Sequence, residues 1–307
     1  MALARWMLDG FERVQIQNHW VQVEGHRMHC LKAGTGPDLI LLHGLLGTAS
    51  TWELTLPGLA GESTISAVDA LGIGESERVP GIDATLEAQA SRIVEFMDAS
   101  AIRCADFLAT SHGGAVALML AAKYPARVKS LLLHAPANPF SHLADPLVRF
   151  YLSGLGTWFA HRITSLPEPM QALALGRMYG DPTQLREGSL GKYINSLRVP
   201  GTVAYVLSIL RAWFDDMGKL ELALKHVRQF PTLLLWGDRD RAVSLESAQQ
   251  LRRCFDRVEL AELPGTGHLP YEECPETLTR LVNSFLVRMR GHSEARPQLV
   301  QNRARLG

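Results

Sequence analysis

Two kinds of apolar pattern alternate along the chain. Short runs with little internal alternation are DLILLH (38–43), TISAVDA (64–70), ADFLATS (105–111), VKSLLLH (128–134), PTLLLWG (231–237) and VELAELPG (258–265). Between them lie longer stretches of helical period, at about 84–99, 113–123, 244–254 and 275–289. Such runs predict strands buried on both faces of a parallel sheet. Strand and helix in turn give an α/β sheet. Upstream, HWVQVEG and HRMHCLKAG (19–34) predict an antiparallel hairpin turning near Glu24-Gly25.

One segment breaks the alternation. No strand pattern occurs between Pro136 and Phe230, and 137–228 holds 10 of the 22 aromatic residues. It predicts a helical insertion that covers something apolar. The expected organisation is an α/β core over 1–136 and 229–290 with a helical cap or lid over 137–228. The polar, slightly basic stretch 291–307 is expected to be a disordered tail.

Composition narrows the class. With 47% hydrophobic and 20% charged residues in 307, the chain is globular and long enough for a large core. Lys+Arg and Asp+Glu are both 31, so zero net charge argues against broad binding to nucleic acid or an anionic membrane. Cys30, Cys104, Cys254 and Cys274 form no CxxC pair, which points to structural thiols in a reducing compartment. The longest stretch free of Asp, Glu, Lys and Arg, Phe107 to Ala122, is 16 residues and contains Ser, His and two Gly. A spanning helix needs roughly 18–20 apolar residues. With no signal-peptide pattern at the N-terminus, a cytoplasmic protein without a membrane span is expected. The oligomeric state is left open.

The densest chemical signal is Ala109-Thr110-Ser111-His112-Gly113-Gly114, after one expected strand and before an expected helix. A sharp turn there presents a serine hydroxyl at the C-terminal edge of the sheet, with small residues two before and two after it to avoid clashes. Ala109 replaces the usual glycine and adds one methyl. A serine needs a base, and the base needs an orienting group. Trp236-Gly237-Asp238-Arg239-Asp240 and Pro264-Gly265-Thr266-Gly267-His268 follow later strands and reach the same edge. Two aspartates compete for the orienting role. In an extended loop they face opposite ways, and Asp240, leading into the next helix, is favoured. His43-Gly44-Leu45-Leu46-Gly47 follows the strand DLILLH. It offers the backbone N–H of Leu45, which with that of His112 can hold a developing oxyanion. The His43 side chain is read as a brace for that loop.

These segments resemble the α/β-hydrolase superfamily over roughly 20–290. HGLLG, DALGIGES (69–76), ATSHGG, WGDRDRAV and GTGHLPYEECPE occur in order. The resemblance implies a mostly parallel, eight-stranded sheet flanked by helices, with a cap insertion. It implies Ser111 as nucleophile, His268 as base and Asp240 as orienting acid, with no metal or organic cofactor. DALGIGES is read as a structural loop, with Asp69 at a sheet end. A serine at 111 argues against relatives with an aspartate nucleophile. C–C hydrolases usually carry a longer glycine run at the oxyanion loop and a tryptophan after the histidine, where this chain has HGLLG and Leu269. The expected activity is hydrolysis of small to medium, largely apolar carboxylic esters. A C–C hydrolase or lyase using the same triad is the alternative, and a non-catalytic small-molecule receptor the third.

Overall fold

The computed structural model describes residues 14–294. Eight strands form one sheet: β1 (Gln17–Val23), β2 (His26–Ala33), β3 (Asp38–Leu42), β4 (Thr64–Val68), β5 (Ala105–Thr110), β6 (Val128–His134), β7 (Thr232–Gly237) and β8 (Val258–Leu263). Their spatial order is β1-β2-β4-β3-β5-β6-β7-β8. β1 and β2 form the expected hairpin, with Glu24 and Gly25 both at positive φ in its two-residue turn. β2 lies antiparallel to β4, and β3 to β8 pair in parallel.

Alternate residues of the central strands feed two cores. Ile40, Phe107, Leu131, Leu133, Leu234 and Trp236 enter the core on one face, and Leu39, Leu41, Leu108, Leu132, Leu233 and Leu235 the core on the other. The first face is covered by α2 (Leu86–Ala99), α3 (Ser111–Lys123) and α9 (Leu245–Arg252). The second packs against α1 (Leu56–Ala60), α10 (Pro270–Glu273) and α11 (Pro275–Glu294). The short α1 escaped the sequence pattern because five residues are too few to show a period. α11 includes residues 291–294 of the expected tail, and 295–307 lie outside the described residues.

α3 explains why the Ser111 segment tolerates two helical glycines. Every residue from His112 to Ala121 is buried, as in a helix apolar all round. A Cβ on Gly113 would collide with the His43 and Leu42 carbonyl oxygens, and one on Gly114 would meet Pro136 Cβ at 2.5 Å. Each glycine costs roughly 1 kcal/mol against alanine in a helix. Burial of Leu118, Met119 and Leu120, roughly 1.5–3 kcal/mol each, more than offsets that.

Between β6 and β7 the described chain is helical: α4 (Asp145–Leu152), α5 (Gly154–Arg162), α6 (Glu168–Gly176), α7 (Ser189–Arg198) and α8 (Thr202–Ala223). Its aromatic residues do not all face inward. Tyr179 and Tyr205 are buried, whereas Trp158 is 57% exposed and Phe150 and Phe214 are exposed too. α4 and α5 use one narrow side, Val148 and Ala160, against Leu207 and Leu210 of α8. Tyr151 and Phe159 are half-buried, and Leu147, Phe150, Leu152, Leu155 and Trp158 are exposed.

Candidate active site

β5 ends at Thr110 and α3 begins at Ser111, with no linker between them. Ser111 has φ 53°, one of four non-glycine residues at positive φ in the described chain. That conformation costs on the order of 1–3 kcal/mol and persists where the surroundings over-determine it. Here the Ala137 amide donates to Ser111 O at 2.8 Å, and Gly44 leaves room beside the side chain. Ala109 is fully buried, so the extra methyl is accommodated.

The loops after β7 and β8 bring His268 and Asp240 together. His268 Nδ1 donates to Asp240 Oδ2 at 2.7 Å, with side chains 5% and 0% exposed. A carboxylate only accepts, so Nδ1 carries a proton, and in the neutral imidazole Nε2 then carries the lone pair. Asp240 Oδ1 accepts from the amides of Ala242 (2.8 Å) and Val243 (3.0 Å). Burial alone would raise the Asp240 carboxyl, but His268 and the Val243 amide hold it below the ordinary carboxylate range. Asp238 is exposed, and its amide pairs with Leu263 O at 3.2 Å.

His134, at the end of β6, neighbours His268 and Thr110. Its ring is 5.7 Å from that of His268, and its Nδ1 is 2.9 Å from the hydroxyl of Thr110. Burial and the neighbouring His268 push it down to about 3, so it is neutral. Among the described residues no hydrogen bond joins Ser111 Oγ to His268. Such catalytic contacts are often long without substrate and tighten when it binds.

The 43–47 loop closes the other side. His43 Nδ1 donates to Gly44 O at 2.7 Å, and its Nε2 accepts from the Ala70 amide at 3.1 Å, so both nitrogens hold backbone. Among the described residues the Leu45 amide has no acceptor. The His112 amide is in the first turn of α3, where helical N–H groups have no intrahelical partner. Asp69 braces the neighbouring loop: it takes His29 Nδ1 at 2.7 Å, the Glu75 amide at 2.9 Å and the Ala49 amide at 2.5 Å.

Some supporting residues had no sequence signal. The His268 amide donates to Met178 O at 2.7 Å. The Glu273 carboxylate accepts from the amides of Gly180 (2.8 Å), Gly267 (2.9 Å) and Leu269 (3.3 Å). Residues 178–180 of the helical insertion are thus bonded to the histidine loop. The four cysteines are free thiols. Among the described residues no group of three or more His, Cys, Asp or Glu is arranged to hold a metal, and no helix is long and apolar enough to cross a membrane.

Residues 37–275 match the family described as alpha/beta hydrolase fold. The 2-hydroxy-6-oxo-2,4-heptadienoate hydrolase of Pseudomonas putida is 26% identical over 263 residues, covering 82% of this chain and 90% of its own. A pimeloyl-[acyl-carrier protein] methyl ester esterase of Nitrosospira multiformis is 26% identical over 270 residues, covering 79% and 92%. The crystal structure of Cfl2 from Burkholderia cenocepacia superposes with a TM-score of 0.79 at 22% identity, over 88% of this chain and 95% of that one. A family match over most of the chain, on a sheet of this order and connectivity, makes this protein a member of the α/β-hydrolase family.

Proposed function

We propose that the protein is a serine hydrolase cleaving small to medium carboxylic esters through Ser111, His268 and Asp240. The observation that carries this is the buried His268–Asp240 pair, its tautomer fixed, at the same sheet edge as a serine held at positive φ. Ser111 Oγ attacks the ester carbonyl carbon while His268 Nε2 takes its proton. The amides of Leu45 and His112 receive the oxyanion. His268 returns the proton to the leaving alcohol, then activates a water that releases the acyl group. Asp240 stabilises the imidazolium without being protonated. The segment 137–228 serves as the cap over the site.

C–C bond hydrolysis with the same residues is the second reading, favoured by the heptadienoate hydrolase among the relatives. The HGLLG loop and Leu269 weigh towards esters.

The test is a fluorophosphonate probe on the wild type and Ser111→Ala, read by intact mass and peptide mapping. One adduct on Ser111, absent from the variant, is expected, with kcat for esters falling on the order of 10⁶-fold in the variant. A folded wild type that takes no adduct overturns the proposal. Turnover of ring-cleavage dienoates with none of esters selects the second reading.

A further inference from the structure

Away from the site, α4 and α5 present an apolar face that the described chain leaves in solvent. In α5, Leu155, Trp158, Phe159 and Arg162 are spaced i, i+3, i+4 and i+7, which sets them along one side of the helix. Gly156 and Ala160, on the adjoining side, are the buried positions. The helix thus buries its small residues and turns its large ones outward. Leu155 is 69% and Trp158 57% exposed, and Phe159 is half-buried. α4 repeats the arrangement: Val148 is buried, whereas Leu147 and Phe150 are exposed. The Phe150 and Phe159 rings meet edge-on with centroids 6.3 Å apart, so the two stripes form one surface.

A single exposed apolar side chain is ordinary, but a contiguous group marks a binding face. The charges around it narrow the occupant. α4 and α5 contain two arginines and one acid. The Arg162 guanidinium stands 5.7 Å from the centre of the Trp158 ring, and that of Arg149 stands 4.7 Å from the Phe214 ring of α8. Both arginines are exposed. The acid, Asp145, is half-buried and accepts from His142 Nδ1 at 3.0 Å. On α8, Asp215 beside Phe214 is engaged by Lys219 at 2.8 Å.

The face therefore carries large apolar side chains and arginines whose charge no acid of α4 or α5 takes up. That is the complement of an anionic, partly apolar surface. A second copy is a poor fit, because a two-fold dimer sets the patch against itself. Arginines would then meet arginines, with no acid between them. Zero net charge over the chain does not conflict, since the positive charge is local. A lipid interface suits the residue types as well: tryptophan is favoured at headgroup level, and guanidinium groups pair with phosphate.

We propose that the α4–α5 face seats the protein on an anionic lipid bilayer. Leu147, Phe150, Leu155 and Trp158 enter the boundary between headgroups and acyl chains, and Arg149 and Arg162 pair with lipid phosphates. Helices that lie in a membrane surface work this way, with the apolar face sunk roughly 5–10 Å and the strength set by apolar area plus attraction to anionic lipid. At 8 and 9 residues, α4 and α5 lie on the bilayer and do not cross it. The inference is independent of the proposed esterase activity, because docking needs no turnover.

The test is co-sedimentation of the full chain with vesicles of phosphatidylcholine alone, or with roughly a third phosphatidylglycerol. Binding to the anionic vesicles is expected, about tenfold or more tighter than to the neutral ones and weakened by high salt. Each arginine near such a surface is worth about fivefold, so Arg149→Gln with Arg162→Gln should lose on the order of twenty-five-fold. Leu155→Ser with Trp158→Ser should abolish binding. Both side chains are exposed, so this variant should melt as the wild type does. Trp158→Phe keeps the apolar face, so it should still sediment but lose the blue shift of fluorescence that vesicles cause in the wild type. A wild type that does not sediment with anionic vesicles overturns the proposal. So does binding that survives the Leu155 and Trp158 changes, or equal binding to neutral vesicles. Sedimentation velocity without lipid checks the other occupant: a dimer that the Leu155 and Trp158 changes convert to monomer assigns the face to a second copy and overturns the proposal too.

Discussion

Asp240→Asn is the sharpest perturbation of the candidate triad, because the structure dictates how the new amide sits. Oδ1 accepts two backbone amides, Ala242 at 2.8 Å and Val243 at 3.0 Å. An asparagine keeps its carbonyl oxygen there, since an NH2 facing two N–H groups leaves both unpaired. Its NH2 then takes the place of Oδ2, 2.7 Å from His268 Nδ1. It donates to Nδ1, moves the imidazole proton to Nε2, and leaves Ser111 with no base. The wrong tautomer is worth about 10⁴ in kcat, about 5.4 kcal/mol of barrier at 1.36 kcal/mol per decade. The fold loses little, because three contacts are kept with one reversed in sense, so a melt should shift only slightly. The assay is steady-state ester hydrolysis with the rate of fluorophosphonate labelling, beside Asp238→Asn, which changes an exposed side chain and should stay within about twofold. A loss below tenfold in Asp240→Asn, or a larger loss in Asp238→Asn, refutes the reasoning.

Three further outcomes follow from the packing. Gly113→Ala puts a methyl 2.7 Å from Leu42 O and closer still to His43 O, both backbone atoms; denaturant melts should show a loss of about 1–3 kcal/mol, and unchanged stability would mean that this helix start is looser than its contacts show. Gly44→Ala brings a methyl to 3.2 Å from Ser111 Cβ; kcat should fall about 10- to 100-fold in a folded protein, and wild-type turnover would remove the 43–47 loop from the chemistry. Asp216 in α8 accepts from the Leu86 amide at 3.1 Å, its other oxygen has no partner, and burial raises its carboxyl to about 6. The folded-state value lies above the unfolded 3.8, so the folded chain holds the extra proton, and this group's contribution to stability falls as pH rises from about 4 to about 6. Asp216→Asn should flatten that slope and raise stability at pH 7.5 by on the order of 1 kcal/mol after solvent screening; urea melts across pH 4–8 that keep the wild-type slope would exclude it.

What was legible in the sequence is what repeats or what is local. The six apolar runs became β3 to β8, β6 with the expected bounds; β5 and β7 are buried at every position, whereas β8, at the sheet edge, buries only Leu263. The turn around Ser111 was legible from its small residues, though the helix starts at the serine itself rather than at Gly113. The choice between Asp238 and Asp240 rested on an extended loop. The loop instead turns, with the Asp240 amide on Gly237 O at 3.2 Å, and it is this turn that leaves Asp238 outside and Asp240 inside. His134 read as the last residue of an apolar run. Its place beside His268, which follows β8, depends on β6, β7 and β8 lying side by side, which the apolar pattern does not reveal. The aromatic content of 137–228 carries no direction, and Trp158 and Phe150 face solvent.

The attachment of the helical insertion was least legible, and it bears most on the chemistry. Gly180 and Glu273 are 93 residues apart, as are Tyr179 and Glu272, whose side chains are hydrogen-bonded in the interior. No periodicity links residues at that distance. Tyr193 Oη adds a bond to Glu272 Oε1 at 2.9 Å. The α6–α7 end of the insertion is therefore fixed by buried polar contacts to the segment that carries His268. The α4–α5 end rests on α8 through apolar contacts and leaves Leu155 69% exposed. Polar contacts specify one geometry, because a small displacement leaves buried groups unpaired, whereas apolar contacts tolerate a slide. The imidazole is thus held in place from both sides, by Asp240 through its ring and by Met178 O through its amide. A change at the exposed α4–α5 face should then leave the His268–Asp240 geometry intact.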